Sequence, residues 1–207
     1  SILEQIYEPI FSDSSHGFRP KRSCHTALRY LQKYWTGVKW IIDMDIKGFF
    51  DNINHDVLIN LLEKRIDDKR FIKLIKAMLK AGYIDDWKFH ATYSGTPQGG
   101  IISPILANIY LHELDIFMMD LIQKFNTGKR RARNKEYNRV QSMVRRQRKQ
   151  YARAQQEGNT DKIESIEAEL RKICELRQNV PSVDFHDSGY KRLTYIRYAD
   201  DYLIGVI

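Results

Sequence analysis

Two adjacent acids, Asp200 and Asp201, interrupt the strand-forming run TYIRYADDYLIGVI (194–207). A second acidic pair lies in WIIDMDIKGFF, where Asp43 and Asp45 stand two residues apart. On a β-strand that spacing points both carboxylates to one face and Ile42 and Met44 to the other. Crowded carboxylates in an apolar setting are costly unless a cation neutralises them. Taken singly, a solvated hairpin turn and a surface-facing edge strand account for the two pairs. Both pairs in one small sheet point instead to a shared divalent-metal site. Mg²⁺ suits it, because this ion takes one or two carboxylates and completes its shell with waters and phosphate oxygens. No thiolate or imidazole cluster competes. Cys24 and Cys174 lie far apart without a CxxC, and His25 has no second ligand pair at metal-site spacing.

Charge points to the partner. The 207-residue chain carries a formal net charge of +8. The segment GKRRARNKEYNRVQSMVRRQRKQYAR (128–153) alone holds 11 Lys/Arg and one Glu, a net of +10, which leaves −2 for the remainder. A dense cationic block beside a near-neutral body fits a polyanion, and nucleic acid above others. A solvated helix face is the plainer explanation of such a block taken alone. No apolar run approaches the ~20 residues of a membrane span, so no membrane partner is expected. The cysteine usage suits a reducing compartment, here a bacterial cytoplasm in preference to an organelle.

The elements that must position these residues announce themselves by caps and periodicity. Ser23 opens a helix in SCHTALRYLQKYW, Asn54 caps HDVLINLLEKRI, and Asp67 caps DKRFIKLIKAMLKAG, which Gly82 stops. Ser103 with Pro104 starts the long helix PILANIYLHELDIFMMDLIQKF. The basic block forms one arm of a helical hairpin from about Tyr137, turned at EGNTD and returned by DKIESIEAELRKICELR, with Asp161 and Glu164 as a capping box. Strands are expected at KWIIDMDI, at DWKFHATY and on both sides of Asp200 and Asp201. The fold class is α+β, a small antiparallel sheet packed by helices.

The wording of these segments resembles a known family. DMDIKGFFDNINHDVL looks like motif A of reverse transcriptases, TPQGGIISPILANIYLHELD like motif B, and RYADDYLIG like the Y-A-D-D motif C. GFRPKRSCHTAL is similar to the segment preceding motif A in the reverse transcriptases and maturases encoded by group II introns. The resemblance implies a right-hand polymerase with partial fingers over 1–40, palm over 41–127, a basic helical-hairpin insertion over 128–180, and palm again over 181–207. It also implies RNA-directed DNA synthesis by two-metal nucleotidyl transfer, with two Mg²⁺ ions that Mn²⁺ can replace. The implied partners are group II intron RNA, an RNA template, a DNA primer and dNTPs.

Site residues follow from the same resemblance. Asp45, Asp200 and Asp201 are the catalytic metal ligands, with the backbone carbonyl of Ile46 joining them. Phe49 is the steric gate against a 2′-hydroxyl. Gln98, Gly99 and Lys47 contact the incoming nucleotide, Gly99 by allowing close backbone approach. Apart from the resemblance, the charge of the basic block makes Arg130, Arg131, Arg145, Arg146, Arg148 and Lys149 the candidate RNA contacts, with Arg19 of GFRP beside them, and Arg19 and Lys47 read equally as solvent-facing cations. The family's first fingers segment should precede Ser1, and its thumb and maturase domain should follow Ile207, so the fragment is expected to polymerise poorly alone. Two other readings stand beside this one: a retron-type or other domesticated bacterial reverse transcriptase, and an RNA-binding splicing cofactor that uses the palm only as a scaffold.

Overall fold

Side-chain caps set most of the helix starts. The computed structural model describes residues 2–85, 88–90, 95–96 and 100–207, with the side chains of 83–85 and 88–90 left aside. Helix α1 (Ile2–Tyr7) runs into a 3₁₀ turn at Glu8–Ile10. Helix α2 (Cys24–Tyr34) begins with a reciprocal box, in which the Ser23 side chain accepts from Thr26 N and the Thr26 hydroxyl from Ser23 N. After the short α3 (Phe49–Asn52), Asn54 caps α4 (His55–Glu63) through Val57 N, as its position predicts. For α5 (Lys69–Lys80) the cap is Asp68, accepting from Arg70 N and Phe71 N, one residue later than expected. Pro104 lies in the first turn of the long α6 (Ser103–Phe125). Leu58, Leu62, Ile72, Ile75, Leu106 and Ile109 form the main core between α4, α5 and α6, with Leu3 and Tyr7 of α1.

Three strands frame the acids. They are β1 (Trp40–Met44), β4 (Leu193–Tyr198) and β5 (Asp201–Val206), in the order β1-β5-β4 and antiparallel throughout. A separate two-stranded ribbon joins β2 (Tyr83–Asp85) to β3 (Lys88–His90). Only 88–90 of the strand expected over DWKFHATY falls among residues described as strand. Alternation divides the larger sheet into two faces. Leu193, Tyr195, Tyr202 and Ile204 pack with Met118 and its neighbours on α6. Ile196 and Leu203 pack with Ala27 and Trp35 at α2. Strand β1 lies at the sheet edge, with every one of its residues exposed.

The chain divides into two compact units, 1–126 with 192–207, and 127–191. In the second, α7 (Lys135–Glu157) and α8 (Thr160–Asn179) form the expected helical hairpin around Val140, Val144 and Ile173. Gly158, at φ 66°, ends α7 in the left-handed conformation that favours glycine. Asn159, accepting from Lys162 N, starts α8 in place of the expected Asp161–Glu164 box. The unit continues through residue 191. Residues 182–191 return antiparallel to 127–134, with Asp184 N donating to Ala132 O at 2.9 Å and bridges at Thr127–Lys191 and Arg133–Val183. Both cysteines are free thiols.

Candidate active site

Register brings the two acidic segments together. Asp43 lies opposite Leu203, Met44 opposite Tyr202, and across the hairpin Tyr198 lies opposite Asp201. Cross-strand partners share a face. Asp43 therefore lies on the Leu203 face, and so do Asp201, two residues before Leu203, and Asp45, one residue beyond β1. On this face a groove of about 380 Å³ is lined by Leu28, Leu31, Asp43, Tyr198 and Asp201 among others. Asp200 stands in the two-residue turn between β4 and β5. Ala199, the other turn residue, has φ 56°, a left-handed conformation that is strained for alanine.

The electrostatics agree with the geometry. Partial desolvation raises the Asp201 carboxyl above the usual range, followed by the negative charges of Asp200, Asp45 and Asp43 and a hydrogen bond with Asp45. Asp45 and Asp201 thus meet directly, while Asp200 and Asp43 act on Asp201 through charge. Among the described residues no three His, Cys, Asp or Glu side chains are gathered closely enough to hold a metal ion. The donor set fits a hard divalent cation all the same. It is built of carboxylate oxygens, and their mutual repulsion is what a cation would relieve.

The turn after β1 shapes the rest. Gly48, at φ 62°, starts α3 in a left-handed conformation, and Asn52 Nδ2 donates back to Gly48 O at 2.8 Å. Ile46 O accepts from Phe49 N at 3.1 Å, which leaves a second lone pair on that carbonyl. Lys47 is exposed. Phe49 is only 5% exposed and makes edge contacts with Phe50 and Tyr110. Its ring packs into the core. Phe50, overlooked in the sequence, is the less buried ring of the pair. Residues 95 and 96 are tied to the same turn: Gly95 N donates to Ile53 O and Thr96 N to Phe50 O, both at 2.8 Å. A side chain at Gly95 would collide with Phe50 O and Asp51 Cα. Gln98 and Gly99 lie outside the described residues.

Arg19 does not face solvent as a phosphate ligand would. It is 7% exposed, with Nε and Nη2 on Glu8, Nη1 on Ser12 O at 2.6 Å and Ser15 O at 2.8 Å, and its guanidinium 5.3 Å from the Phe11 ring centre. These contacts make Arg19 a brace for the loop before α2.

The basic helix offers cations on its outer side. Arg145, Arg146, Arg148 and Lys149 are all exposed, and none makes an ion pair among the described residues. At 100° per residue, Lys135, Arg139, Arg146, Lys149 and Arg153 fall on one stripe opposite buried Val140, Val144 and Ala154, about 27 Å long. Arg145 and Arg148 both lie to one side of it. Arg130 is exposed, whereas Arg131 is half-buried, standing 5.3 Å over the Phe185 ring and 5.7 Å over Tyr190.

Comparison with known proteins gives these sites a setting. The family model described as "Reverse transcriptase (RNA-dependent DNA polymerase)" matches residues 1–130. The chain is 44% identical over 210 residues to "Group II intron-encoded protein LtrA" of Lactococcus lactis subsp. cremoris, covering 99% of this chain and 33% of that protein. It is 44% identical over 207 residues to an "Uncharacterized 91 kDa protein in cob intron" of Schizosaccharomyces pombe, covering 99% of this chain and 24% of that protein. It is 27% identical to "Nuclear intron maturase 1, mitochondrial" of Arabidopsis thaliana, over 60% of this chain and 25% of that protein. The chain thus spans a third or less of the length of these relatives. No helix among the described residues is long and apolar enough to cross a membrane.

Proposed function

Because the chain belongs to the reverse transcriptase (RNA-dependent DNA polymerase) family, we propose that it is the palm and partial fingers of a group II intron-encoded reverse transcriptase and maturase. In this reading it copies RNA into DNA from a primer, supports intron mobility and binds intron RNA to assist splicing, in a bacterial cytoplasm. The observation that supports the polymerase reading is the β1–β5 register, which sets Asp43 and Asp201 on one face, with Asp45 one residue beyond β1 and near enough to help raise the Asp201 carboxyl, and Asp200 in the adjoining turn.

Asp45, Asp200 and Asp201 would hold two Mg²⁺ ions, replaceable by Mn²⁺, with Ile46 O as an additional donor. Bound there, the metals supply Lewis-acid activation of the primer 3′-oxygen and neutralise charge on the leaving pyrophosphate. The new bond forms between that oxygen and the α-phosphorus as the bond to pyrophosphate breaks. The chain's own contribution is positioning. Exposed Lys47 offers a cation to the triphosphate, Gln98 and Gly99 keep the nucleotide-contacting role that the family pattern implies, and Phe50 takes over from Phe49 as the ring beneath the sugar. The stripe on α7 supports the RNA-binding half of the reading, since cations spaced along 27 Å suit a phosphate backbone.

RNA-templated primer extension by the full-length protein tests the assignment. Mg²⁺-dependent incorporation of dNTPs, abolished in Asp200→Asn, is the expected result. Extension by Asp200→Asn at the wild-type rate would falsify it.

A further inference from the structure

Behind the turn that carries Asp200 lies a fully buried polar cluster. Arg197, on β4, is 0% exposed, as is Asp115 of α6. Their ion pair has two contacts: Nε to Oδ1 at 2.9 Å and Nη2 to Oδ2 at 2.7 Å. Nη2 also donates to Ser15 Oγ at 2.8 Å, and Nη1 donates to Asn108 Oδ1 at 3.1 Å and to Ala199 O at 2.8 Å. All five guanidinium N–H groups are therefore engaged. Tyr195 Oη adds a bond to Asp115 Oδ1 at 2.8 Å.

The cluster also captures the loop before α2. Asn108 Nδ2 donates to Gly17 O at 2.9 Å, Arg197 N donates to Ser14 O at 2.8 Å, and His16 N donates to Arg197 O at 2.9 Å. Gly17 in turn lies so close to the turn that a Cβ there would come within 2.3 Å of Ala199 N. Ala199, whose backbone is strained, is thus held by a guanidinium on its carbonyl and by the Gly17 backbone against its amide side. Residues 200 and 201 follow it directly. A hydrophobic isostere of similar volume could replace a buried ion pair without loss of stability. What it could not supply is a donor aimed at Ala199 O.

We propose that the Asp115–Arg197–Asn108 cluster is a positioning device that fixes the Ala199 turn, and so sets where the Asp200 and Asp201 carboxylates stand for metal. The proposal rests on the polymerase reading above. Catalytic geometry is sensitive to displacement, and about 1 Å can cost about a hundredfold in rate. Arg197→Lys keeps a cation beside Asp115, but its three donors cannot serve five bonds. Asn108→Ala leaves the ion pair whole and removes the links to Gly17 and Arg197.

The test compares both variants with wild type in the full-length protein. Mn²⁺ binding is read by electron paramagnetic resonance, and kcat, dNTP KM and Mg²⁺ dependence by extension per folded molecule. Expected are weaker Mn²⁺ binding, a Mg²⁺ requirement shifted upward, and a kcat lowered about tenfold to a hundredfold, with RNA binding and dNTP KM near wild type. Asp200→Asn run alongside separates the two readings. Normal extension by Asp200→Asn sinks the polymerase assignment and the positioning role with it. Abolished extension by Asp200→Asn, together with wild-type Mn²⁺ binding and kcat in Arg197→Lys and Asn108→Ala, overturns the positioning role alone. A loss confined to the yield of folded protein overturns it equally.

Discussion

Asp201 stands near enough to Asp45, one residue beyond the end of β1, for the two carboxyls to act on each other, and the Asp201 carboxyl is raised by desolvation and then by the charges of Asp200, Asp45 and Asp43. An acid whose pKa is raised on folding opposes folding once it ionises, so this site weakens the fold at neutral pH and ceases to do so in acid. Asp201→Asn should therefore raise the urea midpoint at pH 7 relative to wild type. The gain should vanish as pH falls below the ordinary carboxylate range. The same variant should lose primer extension by orders of magnitude, which sets function and stability against each other at one residue. A variant less stable than wild type at pH 7 would contradict the placement of these charges.

The two phenylalanines of α3 separate by their burial. Phe49→Ala should cost about 3–5 kcal/mol of stability, the usual result of emptying an aromatic site in a core, and leave sugar discrimination per folded molecule unchanged. Phe50→Ala should cost less and raise ribonucleotide incorporation relative to deoxynucleotide. Competition between each rNTP and its dNTP on one template checks both. A relaxed ratio in Phe49→Ala alone would return the gate to Phe49.

Much of this arrangement could be read from local pattern. The period of two in Asp43–Met44–Asp45 needs no tertiary information to place both acids on one face, and the Ser23 and Asn54 caps are local hydrogen bonds. Errors arose where neighbours compete for one role. Asp68 displaced Asp67, and Asn159 displaced Asp161, because either can cap and chain geometry picks one. The Phe49–Phe50 choice depends on how the left-handed Gly48 aims the first turn of α3. Arg19 and Arg197 were illegible for another reason. A cation in sequence reads as surface, and only the fold shows that Arg197 meets Asp115 across 82 residues of chain. A signal was present, since Arg197 stands at an inward position of the apolar TYIRY strand.

His16 gives the fold an acid sensitivity of its own. It is 4% exposed, and burial, then Arg22 and Arg19, push its pKa down to about 4. Thr26 Oγ1 donates to Ser23 O, so His16 Nδ1 carries the proton and donates to that hydroxyl at 2.9 Å, leaving Nε2 buried with no hydrogen-bond partner among the described residues. The fold holds the ring neutral while the unfolded chain titrates near 6.5. As pH falls from 6.5 towards 4, the unfolded state takes up a proton that the native state refuses, and stability drops. Urea unfolding from pH 7 to pH 4 should show wild type losing up to about 3 kcal/mol more than His16→Gln over this window. Parallel pH profiles for the two proteins would show that His16 charges as readily folded as unfolded.

The outer face of α7 supplies the sharpest test of the RNA-binding proposal, because the helix separates two sets of cations. Lys135, Arg139, Arg146, Lys149 and Arg153 share the stripe opposite the α8 contact, and Arg145 and Arg148 lie to one side. A phosphate backbone following the stripe would be contacted in register along its length, with each lost contact lowering the salt slope of binding by about 0.7–0.9. Replacing Arg139, Arg146, Lys149 and Arg153 by Glu should therefore flatten the slope of intron RNA binding by about 3 and impair splicing. Changing Arg145 and Arg148 alone should do far less. Extension on a short primer–template should be largely preserved in both variants, because Asp45, Asp200 and Asp201 belong to the other compact unit. Equal losses in binding and extension would instead assign α7 to the primer–template path. An unchanged salt slope would leave the stripe as a solvated helix face.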